Sequence, residues 1–170
     1  MNQGLIHLYY GDGKGKTTAA MGLALRAIAA GKRVVMVQFL KGAPSGEVRL
    51  LEELGARVFR GKAGNAFVWQ MSEEEKRATE RMQTEHLRAA RGEEADMLIL
   101  DEACAAWQLE MVDRELLKQT VLKKPEAQEL VLTGREPADW MMEAADYCTW
   151  MQCRKHPYEK GITARKGVEY

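Results

Sequence analysis

Residues 5–20 read Leu-Ile-His-Leu-Tyr-Tyr-Gly-Asp-Gly-Lys-Gly-Lys-Thr-Thr-Ala-Ala, and no other stretch restricts the fold as much. An apolar strand runs straight into a turn with glycines at 11, 13 and 15, and Lys-Thr-Thr then opens an alanine-rich helix. Glycine lets the backbone curl so that successive N–H groups point inward and form a nest for phosphate oxygens. Lys16 adds a point charge, Thr17 offers a hydroxyl to a magnesium ion, and the helix brings the positive end of its dipole. Gly11, Asp12, Gly13, Lys14, Gly15, Lys16, Thr17 and Thr18 are therefore the candidate polyphosphate-binding residues. The common pattern has a glycine five residues before Gly15, where this chain has Tyr10. How a nucleotide lies in the loop stays open at this point.

The rest of the chain alternates apolar runs with helical patterns. Strands are expected at 5–10, 33–39, 57–60, 96–101, 129–132 and 147–151, and helices at 17–30, 46–54, 72–91, 114–122 and 138–144. Val34-Val35-Met36-Val37, Met97-Leu98-Ile99-Leu100 and Leu130-Val131-Leu132 are continuously apolar, as parallel strands covered on both faces should be. Ser72 followed by Glu75 forms a capping box that fixes the start of the longest helix. This alternation implies an α/β sandwich with a parallel sheet, whose ligands sit at the carboxyl ends of the strands.

Bulk properties exclude several functions. The 25 basic residues balance 25 acidic ones, so no overall field favours nucleic acid or an acidic membrane surface. No apolar run approaches the roughly 20 residues of a membrane span, and no signal-peptide segment precedes the first strand. Cys104, Cys148 and Cys153 are odd in number and match no metal spacing, which fits reduced thiols in a cytoplasmic protein. Three scattered histidines do not make a zinc site. Met141 and Met142 are expected to fill gaps in the core.

Residues just beyond the strands carry the remaining chemistry. Asp101-Glu102 ends the fourth strand, where an acid beside a phosphate loop is expected to hold Mg²⁺ directly or through water. Glu102 is either that ligand or a base that activates water. Arg135, in Thr133-Gly134-Arg135, either reaches terminal phosphates or sits in an ordinary surface turn. Lys41, after Gln38-Phe39-Leu40, is either a ligand contact or a solvated lysine. Phe67 and Trp69 follow a glycine-containing loop; in an extended segment they would point to one side as an apolar platform. By pattern alone, packing into the core is favoured for this pair.

These segments together resemble a known family. The phosphate loop, Val37-Gln38-Phe39-Leu40-Lys41-Gly42, Gly46-Glu47 with Leu50-Leu51, Phe67-x-Trp69, Leu100-Asp101-Glu102, Thr133-Gly134-Arg135, and the tail from Lys155-His156 to Gly167-Val168-Glu169-Tyr170 keep the order and spacing of the P-loop ATP:corrinoid adenosyltransferases. The resemblance implies one P-loop NTPase-like (RecA-like) α/β domain over residues 1–170, with a mostly parallel sheet and helices on both faces. It also implies an enzyme that transfers the 5′-deoxyadenosyl group of MgATP to the cobalt of cob(I)alamin or a related corrinoid. Cobalt attacks the ribose 5′-carbon and intact triphosphate leaves.

Family members similarly lack the first loop glycine and hold ATP reversed relative to ordinary P-loop hydrolases, so the loop stabilises a leaving triphosphate. Lys16, Thr17 and Glu102 are the implied catalytic residues, Thr17, Asp101 and Glu102 the Mg²⁺ set, and Arg135 joins the ATP contacts. Phe67 and Trp69 are implied on the corrinoid, where they displace the lower axial ligand of cob(II)alamin and ease its reduction. A cytoplasmic homodimer served by an electron-donating reductase such as a flavoprotein is implied as well. Asp12 stands where some members carry asparagine. Some members also have an N-terminal helix over the partner's site, for which no room is expected before a strand at residue 5. An ordinary P-loop ATPase or small-molecule kinase, and a non-catalytic nucleotide-binding subunit, are the alternatives.

Overall fold

The computed structural model describes residues 3–169, so Tyr170 of the tail motif lies outside the described residues. Strands β1 (Ile6–Tyr10), β2 (Val34–Gln38), β3 (Arg57–Arg60), β4 (Met97–Asp101), β5 (Glu129–Gly134) and β6 (Tyr147–Trp150) form one sheet in the order β3-β2-β4-β5-β1-β6. Every pairing among them is parallel. The connections carry α1 (Lys16–Ala29), α2 (Gly46–Glu53), α3 (Glu73–Gly92), α4 (Ala103–Gln108), α5 (Arg114–Leu122) and α6 (Asp139–Ala144). Among the described residues, no helix is long and apolar enough to cross a membrane.

The continuous apolar runs have a direct structural cause. Along β2, Val34 and Met36 face α1 and α2, while Val35 and Val37 face α3 and the helices after it. All five residues of β2 and of β4 are buried, because the pleat sends alternate side chains to two covered faces. Each such Val, Leu or Ile contributes about 1.5–3 kcal/mol by leaving water. On α1, Ala20, Ala24 and Ala27 form the buried stripe, and their small size lets the helix lie close against the sheet. Ser72 Oγ accepts from the Glu75 N–H and Glu75 Oε2 from the Ser72 N–H, so the expected capping box sets the start of α3. Met141 is fully buried, as expected.

Two departures matter for the site. Strand β5 continues to Gly134, and α4 begins directly after Glu102, where no helix is expected from the sequence. The two meet at Gly134, where a Cβ would lie 2.3 Å from the Cys104 Cβ and 2.7 Å from its Sγ. Burial also pushes the Cys104 thiol up to about 12, so it packs as a neutral apolar group. Gly134→Ala is expected to lower the unfolding free energy by about 1–3 kcal/mol through overpacking, read as a shift in urea midpoint. An unchanged midpoint would show that α4 yields at no cost.

Candidate active site

Two glycines of the loop serve packing before they serve any ligand. A Cβ on Gly11 or Gly13 would lie 2.4 Å or 2.6 Å from the Met151 carbonyl oxygen. The N–H groups of these two glycines are also taken, donating to the carbonyls of Arg135 at 3.0 Å and Met151 at 2.7 Å. The expected nest of glycine N–H groups is thus corrected at Gly11 and Gly13. The free donors are instead those of the helix end: among the described residues, no chain oxygen accepts from the N–H groups of Gly15, Lys16, Thr17 or Thr18. Gly15 turns the chain into α1 with φ 108° and gives no side-chain cap, so the positive end of a 14-residue helix faces outward uncapped.

Beneath this helix end lies a buried hydrogen-bond network centred on Asp101. Its Oδ1 accepts from Thr17 Oγ1 at 2.8 Å and Thr133 Oγ1 at 2.7 Å; its Oδ2 accepts from Lys41 Nζ at 2.8 Å and Gln38 Nε2 at 3.1 Å. Sheet order explains the convergence, because β5 lies between β4 and β1 and Thr133 sits between the acid and the loop. Burial pushes the fully buried Asp101 carboxyl up, but the Lys41 ammonium and the hydroxyl bonds outweigh it and hold the group below its ordinary value. Its oxygens are saturated.

Glu102 stands differently. Its backbone is left-handed, φ 61°, and its carboxylate reaches the surface of the cleft, 3.6 Å from Lys41 Nζ. Leu40, at the end of the neighbouring strand, is also left-handed with φ 59°. Such non-glycine conformations cost about 1–3 kcal/mol each and persist only where the surroundings enforce them. Here the two turns bring Lys41 and Glu102 together beside Thr17.

A cleft of about 670 Å³ opens above the network. Lys14, Gly15, Lys16, Thr17, Thr18, Lys41, Glu102 and Phe67 line it, together with Arg60, Lys62 and the tail residues Val168 and Glu169. Lysine and arginine outnumber acids along its wall, five (Lys14, Lys16, Lys41, Arg60, Lys62) to three (Glu47, Glu102, Glu169). Lys16 Nζ donates to the Gly13 carbonyl at 2.7 Å, folded over the loop. Arg165 binds Glu169 and holds its carboxyl down to about 2.

Phe67 and Trp69 are not core residues. They are 59% and 75% exposed and stack face to face, with ring centroids 4.5 Å apart and planes 3° from parallel. The segment is not extended; Val68–Gln70 forms a 3₁₀ turn, which folds the rings onto one another. Lys62 Nζ lies 5.6 Å from the Phe67 centroid, within cation–π range.

The chain matches the ATP:corrinoid adenosyltransferase BtuR/CobO/CobP family over residues 2–170. It belongs to that family. It is 35% identical over 173 residues to the corrinoid adenosyltransferase of a Sinorhizobium species, across 99% of this chain and 81% of that one. Identity to the corrinoid adenosyltransferase of Escherichia coli K12 is 33% over 169 residues, covering 99% and 86%. The corrinoid adenosyltransferase of Pseudomonas aeruginosa is 31% identical over 171 residues, covering 99% and 84%.

Within this family member, the expected site residues divide among three places, apart from Gly13, which packs against the Met151 carbonyl. Lys14 through Thr18, Glu102 and Phe67 share the large cleft, with Asp101 in its floor. Gly11, Asp12 and Arg135 line a separate hollow of about 600 Å³ with Tyr10 and Trp150. There Asp12 Oδ1 accepts from the Cys153 N–H at 3.0 Å, tying the loop to the segment after β6. Trp69 lies outside both, stacked on Phe67. Sequence reasoning missed Arg60, whose Nε donates to Gln38 Oε1 at 3.0 Å, and Lys62. Their available signal was position: both sit at the carboxyl end of β3, where α/β sheets bind ligands.

Proposed function

We propose that this protein transfers the 5′-deoxyadenosyl group of ATP to the cobalt of a reduced corrinoid and releases triphosphate. One observation carries the reading beyond family membership: the uncapped α1 terminus with Lys16 and the exposed Phe67 ring open onto the same cleft. A hydrolase or a kinase of small metabolites needs the first feature and has no use for the second. Transfer between a polyphosphate nucleotide and a large planar partner needs both in one space.

In this proposal the loop serves the leaving group. The free N–H groups of Gly15–Thr18 and the Lys16 ammonium face charge that grows on the triphosphate as the carbon–oxygen bond breaks, and they require no reorganisation to do so. A Mg²⁺ ion, when bound, supplies Lewis-acid neutralisation of that charge. The donor set fits it: Thr17 Oγ1 spends its proton on Asp101 and keeps lone pairs toward the cleft, and Glu102 offers a carboxylate with no strong bond of its own. Asp101 acts from below by orienting Thr17, since its four contacts leave it no free lone pair toward the cleft. Phe67 and Trp69 would bear on the lower face of the corrinoid, where an apolar ring excludes an axial ligand. A homodimer, a flavoprotein reductant and a cytoplasmic location belong to the proposal through the resemblance.

Anaerobic incubation with cob(I)alamin and MgATP tests it. The expected result is the absorption spectrum of a cobalt–carbon product; ATP binding without that product would overturn the assignment.

A further inference from the structure

We propose that the Lys41 ammonium is an internal counter-ion: it occupies the cation position between Thr17, Asp101 and Glu102 before nucleotide binds, and the metal–nucleotide enters by displacing it onto the polyphosphate. This rests on the reading of Thr17 and Glu102 as the metal-holding groups.

Three distances place the ammonium there. Lys41 Nζ lies 3.0 Å from Thr17 Oγ1, 2.8 Å from Asp101 Oδ2 and 3.6 Å from Glu102 Oε1. Two of these oxygens, the Thr17 hydroxyl and the Glu102 carboxylate, are hard donors suited to a small divalent cation, and the Asp101 carboxylate adds negative charge beneath them. Thr17 gives its proton to Asp101 and accepts from Lys41 on a lone pair, so the ammonium stands against the hydroxyl that would hold the metal. A metal ligated by Thr17 and Glu102 and the ammonium cannot share this point, because like charges within van der Waals contact repel strongly.

Charge bookkeeping explains why a lysine sits there. Asp101 is fully buried and Glu102 follows it in the chain. Without a cation the Asp101 carboxylate would be an uncompensated buried charge, which proteins avoid, with the partly exposed Glu102 carboxylate beside it. Lys41 compensates them, and it does so reversibly. Its side chain is 34% exposed, so its outward path leads into the cleft beside Lys16. Its flexible four-carbon stem lets the head swing without backbone change. A bare metal ion would expel the ammonium and leave it no partner. A metal ion carrying a polyphosphate brings the anion to which the ammonium moves. Metal binding is thereby coupled to nucleotide binding, and Lys41 then adds to the charge that faces the triphosphate.

The test uses the full chain without nucleotide and Mn²⁺ as the probe, with free Mn²⁺ read by electron paramagnetic resonance. Lys41→Met is expected to bind Mn²⁺ at least about tenfold more tightly than the wild type. Lys41→Gln, which keeps a donor for Asp101 and so protects the fold, is expected to show the same gain. Glu102→Gln added to Lys41→Gln should remove it. A lysine with a purely structural role would lower the melting temperature and leave the Mn²⁺ affinity unmoved, which would overturn the inference. If neutral variants bind Mn²⁺ no more tightly while Glu102→Gln still weakens Mn²⁺ binding in the presence of ATP, the counter-ion role is wrong and the metal assignment stands. If Glu102→Gln leaves Mn²⁺–ATP binding unchanged, the metal assignment itself fails.

Discussion

Lys16→Ala is expected to lower kcat by about 10²–10³-fold at saturating ATP and corrinoid, the loss typical of removing one preorganised charge from a developing anion. Lys16 opens α1 and its ammonium is half-buried over the loop, bound to the Gly13 carbonyl. Burial, together with Arg135 and Lys41, holds it below the ordinary lysine value against the opposing pull of Glu102 and Asp12. The ammonium lines the cleft, and it is expected to interact most strongly when the triphosphate carries its full charge. Thr17→Ala should cost a comparable factor, because it removes the hydroxyl that Asp101 aims into the cleft. Steady-state kinetics separate the outcomes. A fall in kcat that survives saturation places the contact in the transition state; a rise in KM alone would mean uniform binding. Near-normal turnover in both variants would sever the loop from the reaction.

The second large effect concerns the stacked aromatics. Replacing Phe67 and Trp69 together with alanine should leave stability within about 0.5 kcal/mol, since exposed side chains contribute little to the fold. A buried pair would instead cost about 3–5 kcal/mol per residue. In the folded double variant, activity with cob(II)alamin and a mild reductant should fall at least about tenfold further than activity with pre-reduced cob(I)alamin. That ratio corresponds to about 1.4 kcal/mol, within the worth of one aromatic contact. On the proposed reading the rings would serve reduction: once cobalt is Co(I), no lower ligand needs to be expelled. The four-coordinate cob(II)alamin signal in the MgATP complex should vanish in the same variant. Equal loss of both activities would leave the rings with no redox role.

How far these residues were legible in the sequence follows from the range of the forces involved. Strands β2, β4 and β5 announced themselves because both faces are covered, so their apolar runs are unbroken. The start of α3 was legible because Ser72 and Glu75 cap it locally. Helix α4 was not: six residues with only a left-handed Glu102 as N-cap carry too little periodicity to read. The loop glycines were found for a reason that is only partly theirs, since Gly11 and Gly13 answer to Met151, 138 or more positions away. Phe67 and Trp69 look like core residues by pattern, and only their exposure shows a surface. The division of labour proposed for Asp101 and Glu102 was illegible because it depends on donors from α1, from β2 and the turn after it, and from β5 that converge on one carboxylate. Lys41 was seen at a strand end, but nothing local says that its head lies between Thr17 and Asp101.

The central claim is that this phosphate loop stabilises a triphosphate leaving from carbon rather than a phosphoryl group in transit. Quantifying the phosphate species released per cobalt–carbon bond formed, in an anaerobic reaction with cob(I)alamin and ATP, tests it directly. The account predicts one intact triphosphate for each adenosylated corrinoid. Stoichiometric ADP and orthophosphate as the primary products would contradict it.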